Sequence, residues 1–416
     1  MTRSELKEMA CLGFSAPFVL QSFCHLVARP NKADLEVFDT LPKFINSRGG
    51  VAIRPGDGII HSWLNRMLVP DTFGTGGDSH TRFPIGISFP GGSNLVAFAA
   101  ATGQMPLDMP ESVLVKFHGK LQSNITVRDL VHSIPYYAKK QGVLTIDKVN
   151  KQNVFNGRIL EIEGLEHLDC YQAFEFTDAS AERCASAATF NHGIKNVIEY
   201  IENNIILIDW MISNGYQDVK TLQRRRNVLK EWLINPSLLR RDKCSKNKLK
   251  QMFHKVININ MNDIHEPILA LPNDPDNVDI LSNSSGQIVD EVFLGSCMTT
   301  IEHFRVASKI LQKTDKIHSK LWMAPPTKMN KEILEQEGHY ELFKNFGINL
   351  EIPGCSLCMG NQARVANKST VVSTSTRNFP NRLGKESNVY LASAEVAIIS
   401  AILGRIPTLN EYNILL

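Results

Sequence analysis

Cys297, Cys355 and Cys358 are the residues whose type and spacing first suggest chemistry. Cys297 lies in Gly295-Ser296-Cys297-Met298-Thr299, and Cys355 with Cys358 makes a Cys-x-x-Cys pair in GCSLCMG (354–360). Each follows a segment that reads as a strand, 291–295 in the first case and 348–353 in the second. Ligands of open α/β sheets gather beyond the carboxyl ends of the strands, so three thiols placed there can meet. A Cys-x-x-Cys pair alone permits a zinc site, a redox pair or an iron–sulfur site, and two thiols packed in a core are the plain alternative. A closed zinc site wants a fourth ligand, for which a histidine such as His303 is the candidate. Three thiolates without a fourth suit a cubane cluster that leaves one iron open as a Lewis acid.

Other groups with useful chemistry lie on either side. Arg377 and Arg382 follow a predicted strand (370–375) in a stretch broken by Pro380, a placement suited to capturing carboxylates. Asp78-Ser79-His80 follows the glycine-rich loop Phe73–Gly77, which contains three glycines in four positions and is not helical. A carboxylate beside an imidazole sets its tautomer and raises its basicity, which helps in handing a proton to a leaving hydroxyl. His61 and His25 are further candidates of that kind. Glu182 sits among small residues in Asp178-Ala179-Ser180-Ala181-Glu182, where the chain can approach a cluster or substrate closely.

The elements that must position these groups alternate between strand and helix. Strands are predicted at 155–165, 291–295, 320–324, 348–353 and 370–375. Helices are predicted at 94–102 with Gly103 as its stop, from Thr126 as N-cap, at 196–211 with another through Trp232, at 302–311 and at 392–403. That alternation predicts an α/β fold, three-layer, with mainly parallel sheets. The division expected is a first α/β domain over 1–120, a second over 121–240, a polar linker over 241–258 and a third α/β domain over 259–416 carrying the cysteines.

Composition excludes several classes. With 43% hydrophobic and 21% charged residues, 26 Gly and 19 Pro in 416 positions, the chain is neither disordered nor fibrous. Forty-five basic against 42 acidic side chains give +3, too little to imply nucleic acid or an anionic membrane. No apolar run reaches the ~18–20 residues of a spanning helix, and Glu5, Lys7 and Glu8 rule the first residues out as a signal peptide. Eight cysteines are too sparse for a disulfide scaffold, so the expected compartment is the cytoplasm. The basic run Arg240–Lys255 and the triplet Arg224-Arg225-Arg226 read as solvated faces or, in a binding protein, as a surface for RNA.

Five motifs appear in one order: GTGGDSHTRFPIG (74–86), DASAER (178–183), GSCMT (295–299), GCSLCMGNQARV (354–365) and STSTRNFPNR (373–382). Together with TRSELK (2–7), HSWLNR (61–66) and MPLDMPES (105–112) they resemble the aconitase family, in its bacterial B-type branch, over nearly the whole chain. The resemblance implies a [4Fe–4S] cluster on Cys297, Cys355 and Cys358. It implies Asp78 and His80, with His61 and His25, as the relay that protonates a departing hydroxyl, and Glu182 beside the open iron. Ser79, Arg377 and Arg382 become ligands of substrate carboxylates. The reaction implied is a hydro-lyase's: citrate to cis-aconitate to isocitrate, in the tricarboxylic acid cycle. A related hydro-lyase acting on 2-methylisocitrate or isopropylmalate, and a cluster-free RNA-binding regulator, are the alternatives.

Two departures stand out against that pattern. Thr300 occupies a position where the family usually has Asn, so hydrogen bonding around Cys297 is expected to differ. The B-type enzymes also carry helical-repeat and swivelling domains, the latter supplying a serine base and another arginine. Neither has a counterpart here, so the chain reads as a fragment or as one half of a split enzyme, partnered by a separate swivelling domain or subunit.

Overall fold

Continuous apolar strands must be covered on both faces, and that condition favours parallel sheets between helices. The computed structural model describes residues 13–146, 149–241, 251–360 and 363–416. It contains two short parallel pairs, β1 (Leu20–Gln21) with β2 (Val51–Ala52) and β3 (Thr72–Gly74) with β4 (Gly86–Ser88). Next, β5 (Ser112–His118), β6 (Ile159–Glu163), β7 (Ala187–Phe190) and β8 (Lys255–Asn260) form a wholly parallel sheet in the order β7-β6-β5-β8. The largest sheet comprises β9 (Ile268–Ala270), β10 (Val278–Ile280), β11 (Glu291–Gly295), β12 (Lys320–Ala324), β13 (Asn349–Leu350), β14 (Thr370–Ser373) and β15 (Asn388–Leu391). Its order is β10-β9-β15-β14-β11-β12-β13, parallel from β15 to β13 with β9 and β10 antiparallel at one edge.

Every residue of β11 is buried. One face of this sheet shares a core with the four-stranded sheet, through Phe293, Val371, Val115 and Ile257. The other face packs Val292, Leu294 and Val372 on helices 301–311 and 394–403. The chain leaves β11 in one direction to β12 and β13, and later returns on its other side as β14 and β15. That reversal is a switch point, where neighbouring connections part and leave a crevice at the strand ends. Cys297 lies two residues past β11 and Ser375–Arg377 lie just past β14, so both banks of the crevice carry candidate residues.

The helices include α1 (Ile60–Leu64), α2 (Ser93–Thr102), α3 (Val127–Lys140), α4 (Cys170–Ala179), α5 (Ile194–Ser213), α6 (Val219–Ile234), α7 (Ile301–Leu311) and α8 (Ala394–Leu403). Of these α2, α3, α5, α6, α7 and α8 were expected, whereas α1, α4 and the helices Lys32–Asn46, Lys328–Gln336 and His339–Asn345 were not. Gly103 ends α2 at φ +73. Thr126 caps α3, its hydroxyl accepting from the Asp129 amide while Asp129 accepts from the Thr126 amide at 2.8 Å. A short helix, Leu409–Leu415, follows α8 and has no counterpart among the expected elements. Among the described residues no helix is long and apolar enough to cross a membrane.

The sheets cut across the expected domain boundaries. β5 begins at Ser112, inside the first span, yet pairs with β6 and β8. β8 begins at Lys255, inside the 241–258 span read as linker. It alternates buried Ile257 and Ile259 with exposed Asn258, and its polar half disguised an edge strand. Helices α5 and α6 pack Val197, Ile201 and Leu222 against Val51, Trp63 and Phe83 of the first span, so the first two spans share a core. The strands expected over 155–165, 348–353 and 370–375 contract to β6, β13 and β14, because the backbone beyond β13 and β14 leaves the ladder to build the site.

Replacing Thr126 with Ala is expected to cost about 1 kcal/mol in urea unfolding, through loss of the cap. Gly360 stands at φ +67, and a Cβ there would meet the Arg382 carbonyl at 1.8 Å. Gly360→Ala is therefore expected to destabilise by more than about 1 kcal/mol in the same measurement.

Candidate active site

The crevice opens into a cavity of about 980 Å³ whose lining includes Cys297, Cys355 and Cys358 together with His25, His61 and His80. Asp78, Ser79, Arg377 and Arg382 line it too. Glu182 stands one hydrogen bond behind the wall. Residues far apart in sequence are thus brought to one volume by the sheet topology.

The turns that carry the thiols hold unusual backbone. Ser296, preceding Cys297, has φ +139, and Ser356, inside the Cys-x-x-Cys turn, has φ +44. Such conformations cost a non-glycine residue ~1–3 kcal/mol and persist only where surroundings fix them. Here the Ser296 hydroxyl donates to the Thr374 carbonyl at 2.9 Å, and the Gly295 amide donates to the Thr374 hydroxyl at 2.9 Å. Buried Arg128 of α3 donates to the same carbonyl from both terminal nitrogens at 3.2 Å. The turns after β11 and β14 are clamped together, which fixes Cys297 relative to Arg377.

A chain of ionisable groups runs along one wall. His25 Nε2 lies 3.3 Å from Asp78 Oδ2, and His80 Nδ1 lies 3.5 Å from Asp78 Oδ1. Asp78 also accepts the His80 amide at 2.9 Å, the turn that the Asp-Ser-His spacing allows. His80 Nε2 lies 2.7 Å from Glu182 Oε1. Arg377 Nε donates to both Glu182 oxygens, at 2.8 and 3.0 Å, while its terminal nitrogen donates to the Ser79 hydroxyl. His61 stacks on Phe174 at 6.3 Å between ring centroids, and its buried ring nitrogens have no partner among the described residues.

These contacts set proton affinities. Burial alone would lower His80, but Asp178, Asp78 and Glu182 outweigh it and raise its pKa to about 10. Burial would raise Asp78, yet hydrogen bonds from His25 and His80 hold it well below the usual carboxylate range. Burial likewise opposes the lowering of Glu182, which His80 and Arg377 bring about. His25 is raised: burial works against the shift and Asp78 overcomes it. His61 has no such partner within bonding reach, and burial takes it down to about 4. At neutral pH the wall therefore holds a charged His80 between two carboxylates and a neutral His61.

The sulfurs meet different neighbours. The Cys297 thiol donates to Asp178 Oδ2 at 3.0 Å. Cys358 Sγ lies 3.9 Å from the Thr376 hydroxyl, and Arg382 Nε donates to the Cys358 carbonyl at 3.0 Å. Burial raises Asp178 to about 6. Burial and the Asp178 charge push the Cys297 thiol well up, as suits a sulfur that ionises only with a cation beside it.

An iron–sulfur cluster fits these residues. Three thiols reach one cavity from two separate turns. Two groups each place three donor atoms within 4.8 Å of one another: Cys24-His25-Cys355 and His80-Asp178-Cys297. His303 is not a fourth ligand to the three cysteines, for it accepts the Thr300 amide at 2.9 Å and faces Glu175 at 3.6 Å. Thr300 thus serves as the N-cap residue of α7.

Sequence reasoning passed over Asp178 and Cys24. Asp178 stands four residues before Glu182 and so one turn away, a periodic signal for a second carboxylate on the same face. Cys24 precedes His25 directly but is separated from Cys355 by 331 positions of chain (355 − 24), and nothing local links them. The basic triplet is engaged: Arg224 donates to the Pro17 carbonyl, Arg225 covers Phe18 and Arg226 pairs with Asp209 at 2.6 Å. Positions 242–250 of the basic run, the TRSELK segment, and Asn361 and Gln362 lie outside the described residues.

The chain is similar in sequence to known proteins over most of its length. The model of the "Aconitase family (aconitate hydratase)" matches residues 19–287 and 281–404. "Aconitate hydratase B" of Pseudomonas aeruginosa and that of Escherichia coli are each 60% identical over 413 residues, 99% of this chain and 47% of the relative. The chain therefore spans about half the length of those curated relatives. The "3-isopropylmalate dehydratase large subunit" of Aquifex aeolicus is 28% identical over 86% of this chain and 75% of its own length. Iron–sulfur sites are general in this group, and the cavity's thiols are of the matching kind. With two stretches that cover most of its length matched in order, the chain belongs to the aconitase family.

Proposed function

We propose that this chain is the cluster-binding part of an aconitate hydratase, interconverting citrate and isocitrate through cis-aconitate in the cytoplasm. The observation that carries the reading is the meeting of Cys297, Cys355 and Cys358 with a carboxylate–histidine chain and two arginines in one cavity. A [4Fe–4S] cluster held by those three cysteines would supply a Lewis-acidic iron for the substrate hydroxyl and a carboxylate. Everything else is work for side chains.

Arg377 and Arg382, with the Ser79 hydroxyl, bind the carboxylates of a trianionic substrate. Glu182 grips Arg377 through both oxygens, so the guanidinium is oriented before substrate arrives and little side-chain freedom remains to be lost. His25 has the most exposed ring of the wall, 36%, and is the donor that meets the departing hydroxyl. Asp78 sustains its proton, and His80 behind it stands charged in reserve between Asp78 and Glu182. Neutral His61 can pass a proton without storing a charge in an apolar wall. The resemblance assigns the carbon-proton base to a serine of the swivelling domain, so the 416-residue chain assayed alone is expected to turn citrate over weakly or not at all. Full turnover without any added partner would overturn that part of the reading. Reduced thiols suit the cytoplasm, and the described cysteines are free. Among the described residues nothing favours the RNA-binding alternative, since Arg224, Arg225 and Arg226 all have intramolecular partners.

Anaerobic reconstitution with ferrous iron and sulfide is expected to give a broad visible absorption. Cys355→Ser should lose it, while Cys170→Ser should keep it, because Cys170 is buried on α4 beside His192. Equal loss in both variants would sink the ligand assignment. In the cluster-free chain, His80 is raised from 6.5 to about 10, so its contribution to stability is fully present below pH ~6.5 and disappears as pH climbs through about 10. Glu182→Gln should shift the upper end of that window downward, read by denaturant unfolding at a series of pH values.

A further inference from the structure

Cys24 has no part in the reaction above, yet the fold holds it beside a proposed cluster ligand. The Cys355 amide donates to the Cys24 carbonyl at 3.2 Å. Gly354 permits this approach: at φ +158, a Cβ on it would stand 3.2 Å from the Cys24 oxygen and 2.9 Å from Val27. Backbone contact thus sets residues 24 and 355 side by side whatever their side-chain rotamers. The sulfurs of Cys24 and Cys355 and a ring nitrogen of His25 all lie within 4.8 Å of one another. Cys24 is 6% exposed and Cys355 9%, so both thiols are withdrawn from bulk water, while His25 is only partly covered.

Two sulfurs and an imidazole are the donors of an open zinc site, three protein ligands and one free position. Zn–S bonds of about 2.3 Å set the sulfurs of a tetrahedral site ~3.8 Å apart, inside the spacing seen. With Nδ1 as the ligand atom, Asp78 Oδ2, 3.3 Å from His25 Nε2, becomes an outer-shell carboxylate that steadies the ring. The group faces the cavity of about 980 Å³, which gives an ion a route in and leaves its fourth position to water. We propose that Cys24, His25 and Cys355 form a Zn2+ site in the cluster-free chain. The two thiol protons leave to solvent as the ion binds, and no oxidant or reductant is involved. The corollary, that zinc and a cluster exclude each other through their shared Cys355, rests on the cluster reading above.

The test is an anaerobic Co2+ titration of the full cluster-free chain, followed by displacement with Zn2+. One equivalent should bring thiolate-to-cobalt charge-transfer bands and the visible bands of a tetrahedral ion, both removed by zinc. Cys24→Ser and Cys24→Ala should each bind at least about tenfold more weakly. Cys358→Ser should bind as the parent does. Parent-like binding by both Cys24 variants, or an equal loss in Cys358→Ser, would overturn the site by placing the metal among the other thiols. Circular dichroism and a thermal melt identify a variant that has failed to fold, and a folded Cys24→Ala then decides. For the corollary, zinc-loaded parent chain should assemble the cluster slowly, while Cys24→Ser should assemble it at the normal rate with or without zinc. If zinc-free parent chain fails to assemble a cluster, the cluster reading falls and the cobalt result still stands.

Discussion

A single buried carboxylate joins the parts of this molecule that must meet. Glu182 comes from the turn between α4 and β7, and it holds His80 from the glycine-rich loop and Arg377 from beyond β14. Its side chain is 3% exposed, and an ionised carboxylate that deep costs several kcal/mol unless cations answer it. Two cations do. Removing either would leave the carboxylate short of one partner, so the three residues act as a set. The strain at Ser296 and the clamp through Thr374 follow from the same requirement, since Arg377 is in place only if the turns after β11 and β14 are locked together.

The electrostatics of the wall arise from graded burial. Asp78 and Glu182 remain charged because each has two hydrogen-bonded or ion-paired partners, whereas Asp178 has a thiol and is raised to about 6. His80 and His61 lie 6.4 Å apart between ring centroids, yet one is raised and the other lowered, because carboxylates bond to His80 and a phenyl ring faces His61. Neighbouring histidines thus become a proton store and a neutral relay. Environment separates them, not residue type.

The thiols are arranged by a similar economy of topology. Cys297 and the Cys355–Cys358 turn lie at the same end of a parallel sheet because all strands from β15 to β13 point one way. A crevice at the switch between β11 and β14 is then the place where long-range neighbours can be assembled without disturbing the core. Cys24 reaches the same place from the other side, through the backbone contact with Cys355.

Read alone, the residues marked part of the elements and most of the donor types. Apolar runs marked β11 and β12, Thr126 as an N-cap marked the start of α3, and the motifs around residues 78–80, 178–183, 295–299, 354–360 and 373–382 named the groups that line or back the cavity. Local chemistry is legible locally. Tertiary structure alone decided what had no local signal: β8 as an edge strand with a polar face, α5 and α6 packing back on the first span, the sharing of Arg377 by Glu182 and Ser79, and the pairing of Cys24 with Cys355. Each of these depends on which surfaces meet when distant segments bury their apolar faces together, a quantity that no short window of residues contains.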